Sequence, residues 1–193
     1  MKTFQTNVDA YNFLRGACAD GYRQDIQRGS FENEATYRMQ AFPVMLEITD
    51  PCNFLYLPKE VTMGVIEKYH QDYITSPVRP ENTVYTYGER IMAQLPTVLE
   101  MMAATPSTNQ ASISISQPSD IFLADPPCLR ELTFSHFNGR IHLTSYWRSN
   151  DISEAFLINQ GGLALLLFDV ASYAGKDVGS HFYCSPGAHT YHR

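Results

Sequence analysis

Asp125-Pro126-Pro127-Cys128-Leu129-Arg130-Glu131-Leu132-Thr133-Phe134-Ser135-His136-Phe137-Asn138-Gly139-Arg140-Ile141-His142-Leu143-Thr144-Ser145-Tyr146-Trp147-Arg148-Ser149-Asn150-Asp151 is the stretch whose reading decides the fold. Asn138-Gly139 is the preferred dipeptide of a two-residue type I′ hairpin. The flanks Glu131–Phe137 and Arg140–Trp147 therefore read as its strands. Two prolines fix the chain just ahead of the first strand and remove two backbone donors, which pins Cys128 at the strand entrance. Closing the hairpin at Asn138-Gly139 puts Cys128 opposite Ser149 and beside Arg148. Strict alternation sends Arg148 to the other face, and a β-bulge in one strand would bring the two together. A guanidinium beside the sulfur would favour thiolate. The bland alternative is a buried, unreactive cysteine.

Downstream, Ile158–Ala174 is apolar on all sides, as suits a central buried helix. Val178–Tyr183 reads as a strand, and Pro186-Gly187 as a turn that brings His189-Thr190-Tyr191 back over the sheet. Upstream, the spacing predicts a helix over Asp9–Tyr22 with Asp9 as cap, a loop over Gln24–Thr36, and a strand over Phe42–Ile48. Helices follow over Glu60–Ile74 and Gly88–Ala104, and Ala111–Ser116 alternates as a half-buried strand does. The expected architecture is α/β (α+β), one domain over 1–193, with a mixed, bulged sheet buried on both faces.

The chain has 193 residues, 44% hydrophobic and 18% charged, with a formal net charge of −6. That balance supports one core and disfavours a general nucleic-acid footprint, which needs a basic face. No apolar run reaches the roughly 18 residues of a membrane span, and the N-terminus lacks a signal-peptide core, so a cytoplasmic protein is expected. The four cysteines are scattered and form no CxxC pair. His181, Cys184, His189 and His192 crowd the C-terminus, but their spacing fits no closed zinc pattern, and no metal is expected.

Arg148 offers a planar fork for phosphate, Ser149 a hydroxyl, and Asp151 an acid that could equally cap a turn. Asn159 enters the apolar helix with an amide that must be satisfied by backbone or ligand, and it suits the N3 and O4 edge of uracil. His189 and Tyr191 lie on one face of an extended segment.

In order and spacing, Tyr85-Thr86-Tyr87-Gly88-Glu89-Arg90, Pro127-Cys128, Arg148-Ser149-Asn150-Asp151, Asn159 and His189-Thr190-Tyr191 resemble the thymidylate synthase family, from Tyr85 to Tyr191. The resemblance implies a sandwich with helices on one sheet face and a homodimer through the other. It implies Cys128 as nucleophile, with Tyr87 and Arg148 as further catalytic groups. Arg148 and Ser149 would hold phosphate, Asn159 the pyrimidine, and His189 and Tyr191 the ribose hydroxyl. Asp151 would contact 5,10-methylenetetrahydrofolate, the co-substrate. The family's water-organising glutamate would be Glu47 or Glu60.

Three departures stand beside this match. Asn109-Gln110 occupies the position of two arginines that the family lends to its partner subunit, so Arg28, Arg38 or Arg90 would have to compensate. Arg193 lies two residues past Tyr191, so the family's usual C-terminal segment is not expected. The region before Tyr85 is abbreviated. The implied activity is C5 methylation of dUMP. A pyrimidine-nucleotide C5 hydroxymethylase and a nucleotide-binding relative with little turnover are the alternatives. Asn159 favours uracil, since cytosine-specific relatives tend to carry an acid there.

Overall fold

The computed structural model describes residues 1–26 and 37–192. In chain order the elements are β1 (Lys2–Phe4), α1 (Asn7–Ala19), β2 (Tyr22–Asp25), β3 (Tyr37–Gln40), β4 (Val44–Ile48), α2 (Met63–Tyr69), α3 (Tyr87–Met92) and α4 (Leu95–Ala104). They continue with β5 (Ser112–Ser114), β6 (Leu129–Phe137), β7 (Arg140–Trp147), β8 (Asn150–Asp151), α5 (Phe156–Tyr173), β9 (Asp177–Ser185) and β10 (Ala188–His192). A six-stranded mixed sheet runs β1-β4-β9-β7-β6-β5, and a smaller sheet runs β2-β3-β10-β8.

The β6–β7 hairpin is built as its turn residues dictate. Asn138 and Gly139 have φ of 53° and 77°, the paired positive angles of a type I′ turn. β7 and β9 pair in parallel, so the chain between them must cross over, and α5 is that crossover. The upstream elements shift in detail. Thr6 caps α1 and Asp9, the expected cap, answers three residues later from the third helical position as a capping box. Pro96 lacks the N–H that an unbroken helix over Gly88–Ala104 needs, and two helices, α3 and α4, form instead. α2 runs on as a single π-turn over His70–Ile74. Of the loop expected over Gln24–Thr36, Gln24 and Asp25 belong to β2, and the segment beyond residue 26 lies outside the described residues.

Register divides the large sheet into two unlike faces. Ile113, Leu132, Ser145, Tyr183 and Leu46 lie in one row across β5, β6, β7, β9 and β4, and all are buried. The neighbouring row of Ser114, Glu131, Tyr146, Cys184 and Met45 points the other way, with Tyr146 42% and Met45 55% exposed. Helices thus cover one face. This matches the expected sandwich with helices on one sheet face, and within the single chain Tyr146 and Met45 on the second face stay exposed.

α5 is the axis of the covered side. It is long and apolar enough to cross a membrane, yet 67% of it is buried among these layers. Two glycines let it approach α2 closely. A Cβ on Gly161 would sit 2.9 Å from the Ile66 side chain, and one on Gly162 would sit 2.7 Å from the Tyr69 ring. This close packing sets the position of Tyr69 at the site described next.

Candidate functional site

Between Leu129 and Glu131 the β6–β7 register slips by one residue. This is the bulge that joining Cys128 to Arg148 requires. Past it, the Arg148 backbone N–H donates to the Cys128 carbonyl at 2.9 Å, so the two residues face each other. The Arg148 guanidinium donates from Nε to the Pro127 carbonyl at 3.0 Å and from Nη2 to the Pro126 carbonyl. Its Nη2 also lies 3.5 Å from Asp125. The two prolines, which carry no donors, thus serve as acceptors that hold the arginine. The sulfur's hydrogen-bond neighbour is the Ser149 hydroxyl at 3.4 Å, in place of the expected guanidinium.

β10 inserts between β3 and β8 and aligns His189 with Asp151. His189 Nδ1 lies 2.8 Å from the Gly187 carbonyl, so that nitrogen carries the proton. Nε2 is then an acceptor, buried and without a partner. Burial keeps the ring neutral and lowers its pKa to about 4. The Tyr191 ring meets His189 edge-on at 4.7 Å. Asp151 accepts from the Ser153 and Glu154 amides, a turn cap, while it also lines the cavity.

Asn159 stands on the first turns of α5. Its Oδ1 accepts from the Tyr69 hydroxyl at 2.7 Å, and its Nδ2 donates to Asn150 Oδ1 at 3.3 Å. Tyr69 and Tyr87 are half-buried, packed against the core. Burial is the main cause that pushes both phenols up, with the nearby Cys128 contributing to each, so both remain protonated. The Tyr87 hydroxyl accepts from the Leu129 amide at 3.4 Å, and its ring packs edge-on against Trp147.

All eight residues expected at the site line one cavity of about 390 Å³: Tyr87, Cys128, Arg148, Ser149, Asp151, Asn159, His189 and Tyr191. Four chain regions far apart in sequence supply them. Arg38, on β3 beside β10, lines the same cavity. Arg90 does not; it is locked in a buried two-pronged pair with Asp120. Arg28 lies outside the described residues.

Neither expected glutamate is there. Glu47 shares the open sheet face with Met45, bonded to Ser180 and Thr3, and Glu60 is exposed ahead of α2. Asp125, Asn150 and Glu154 line the cavity without having been expected there, and Tyr69 joins the site through its bond to Asn159. No local pattern marks Tyr69: Val65 and Tyr73, at helical spacing on either side of it, are exposed, whereas Ile66 and Ile74 are buried. The C-terminal His/Cys set does not converge: His181 is buried against Ser145, whereas Cys184 lies on the opposite sheet face.

Comparison with known proteins bears on the family and the fold. The thymidylate synthase family model matches residues 62–193, starting well before Tyr85. A protein of Methanothermobacter thermautotrophicus described as "Putative thymidylate synthase" is 30% identical over 132 residues, 65% of this chain and 59% of its own length. One of Methanosarcina barkeri with the same description is 30% identical over 158 residues, 77% of this chain and 71% of its own. The chain thus spans between half and three quarters of these relatives. The thymidylate synthase of T4 phage superposes with a TM-score of 0.74 over 94% of this chain and 76% of that one, at 18% identity, which establishes the fold. With more than half its length matched by the family model and its fold shared, the chain belongs to the thymidylate synthase family.

Proposed function

We propose that this chain methylates C5 of dUMP to give dTMP, with 5,10-methylenetetrahydrofolate as co-substrate. The observation that carries the reading is the convergence of a thiol, an arginine, an amide and an unpartnered imidazole acceptor on one cavity. Cys128, as thiolate, adds to C6 of the pyrimidine, which makes C5 nucleophilic. The co-substrate supplies the one-carbon unit and the hydride, the C5 proton is lost, and the Cys128–C6 bond breaks to return the thiolate and release the product. Asn159 pairs with the base edge and stabilises charge on O4. His189 Nε2 accepts from a ribose hydroxyl, next to Tyr191. Arg148 and Ser149 take the phosphate, and Arg38 supplies positive charge in place of what Asn109-Gln110 lacks. Asp151 and Glu154 are the acceptors for the N–H groups of the folate ring.

The open sheet face, with Tyr146 and Met45 exposed, suits closure by a second copy. The four cysteines are free thiols, as suits the cytoplasm.

The test is tritium release from [5-³H]dUMP with and without methylenetetrahydrofolate. Folate-dependent release, lost in Cys128→Ala, is expected, with a product mass that corresponds to a methyl rather than a hydroxymethyl group. No release from dUMP, UMP, dCMP or deoxyuridine would sink the reading.

A further inference from the structure

The Asn159 amide is held at both ends by the protein itself. Its oxygen accepts from Tyr69 and its nitrogen donates to Asn150. An amide oxygen has two lone pairs and an amide nitrogen two protons, so one of each remains for a ligand. Asn159 lines the cavity, where those remaining positions are presented in a fixed order.

The order matters for a pyrimidine. A 4-keto base offers a donor at N3 and an acceptor at C4, whereas a 4-amino base offers the reverse. An amide free to turn over reads both edges; an amide that cannot turn reads one. Turning Asn159 over would place its NH₂ against the Tyr69 hydroxyl and its oxygen against the Asn150 oxygen. The phenolic proton, whose one side-chain acceptor among the described residues is Asn159 Oδ1, would lose that acceptor in a half-buried position. Two carbonyl-type oxygens would meet at the other end. Asn150 is itself buried, with its Nδ2 and the nearby Tyr183 hydroxyl both lacking a hydrogen-bond partner, so it is the Tyr69 end that gives the clamp its direction.

We propose that Tyr69 is the base-selecting residue of this site: with Asn150 it locks the Asn159 amide in one orientation, so the cavity distinguishes a 4-keto from a 4-amino pyrimidine nucleotide. The inference rests on the reading that the cavity takes a pyrimidine nucleotide. Tyr69 needs no contact with the base to do this. It is a positioning residue, fixed in turn by the close approach of α2 to Gly162.

Calorimetric titration of the full chain with dUMP and with dCMP tests it. The wild type is expected to favour dUMP by about 20-fold or more, the scale of one well-made bidentate amide contact. In Tyr69→Phe, which keeps the ring and its packing, the ratio of the two dissociation constants is expected to narrow by about tenfold, through tighter dCMP as well as weaker dUMP binding. Asn150→Ala cuts the other end of the clamp and is expected to narrow the same ratio, so a folding failure of either variant leaves the other informative. An unchanged ratio, or equal weakening of both nucleotides, in a folded variant would overturn the inference and leave the functional reading intact. A wild-type chain that binds neither nucleotide would overturn both.

Discussion

His189 and His181 show what burial does to a titratable side chain here. Burial lowers the pKa of His189 to about 4 and that of the fully enclosed His181 to about 3, each from an ordinary 6.5. The unfolded chain therefore takes up these protons first as pH falls. Stability owed to them is intact above about pH 6.5 and drains away as the pH falls towards the folded-state values, at about 1.4 kcal/mol per pH unit for each histidine. Urea melts at about pH 7 and about pH 5 are expected to show this loss, and His189→Gln is expected to make the slope shallower by close to one proton. A slope that ignores the substitution would mean His189 is charged in the folded chain. The same neutrality leaves Nε2 as an acceptor at working pH, so acid is expected to weaken nucleotide binding together with the fold.

At the scale of elements, the site depends on two packing events. The bulge in β6 turns the Cys128 end of the strand so that it faces Arg148. The glycine pair of α5 admits α2, and with it Tyr69. Gly162→Ala would put a methyl group 2.7 Å from the Tyr69 ring and 3.3 Å from Ile74, in a contact with no slack. The expected cost is about 1–3 kcal/mol of stability, as for other overpacked cores. Nucleotide selectivity is expected to suffer beyond what the melting temperature shows, because Tyr69 is displaced from Asn159. Thermal melts paired with the dUMP and dCMP titrations check this. A destabilised variant with wild-type selectivity would separate the helix packing from the site.

The whole molecule presents one large sheet with helices on one side and an open second face. Its central row carries Tyr146, Cys184 and Met45 side by side across three adjacent strands. Buried strands elsewhere in the sheet show that these same elements form a core when covered. Sedimentation is expected to give twice the chain mass, and Tyr146→Arg to give monomers, because a charge there would be buried without a partner. A wild-type chain that sediments as a monomer at micromolar concentration would overturn the dimer reading.

Much of this was legible from local chemistry. Asn138-Gly139 demands its turn, the alternation on either side demands its strands, and the length and apolarity of Phe156–Tyr173 demand a buried helix. The candidate site residues could be named because their identities and spacing resemble a known family, and all eight line one cavity. The rest was decided by tertiary structure. Which glutamate reaches the site could not be read from sequence, because Glu47 sits on a strand whose alternation is settled only by which face the helices cover. Which arginine joins Arg148 depended on strand pairing: Arg38 is brought in because β3 lies beside β10, while Arg90 is taken up by Asp120 some thirty residues away. Tyr69 became a site residue only through the contact of α2 with α5. Local patterns specify elements because they act over a few bonds; long-range contacts belong to the packed whole, where neighbours distant in sequence decide what each side chain meets.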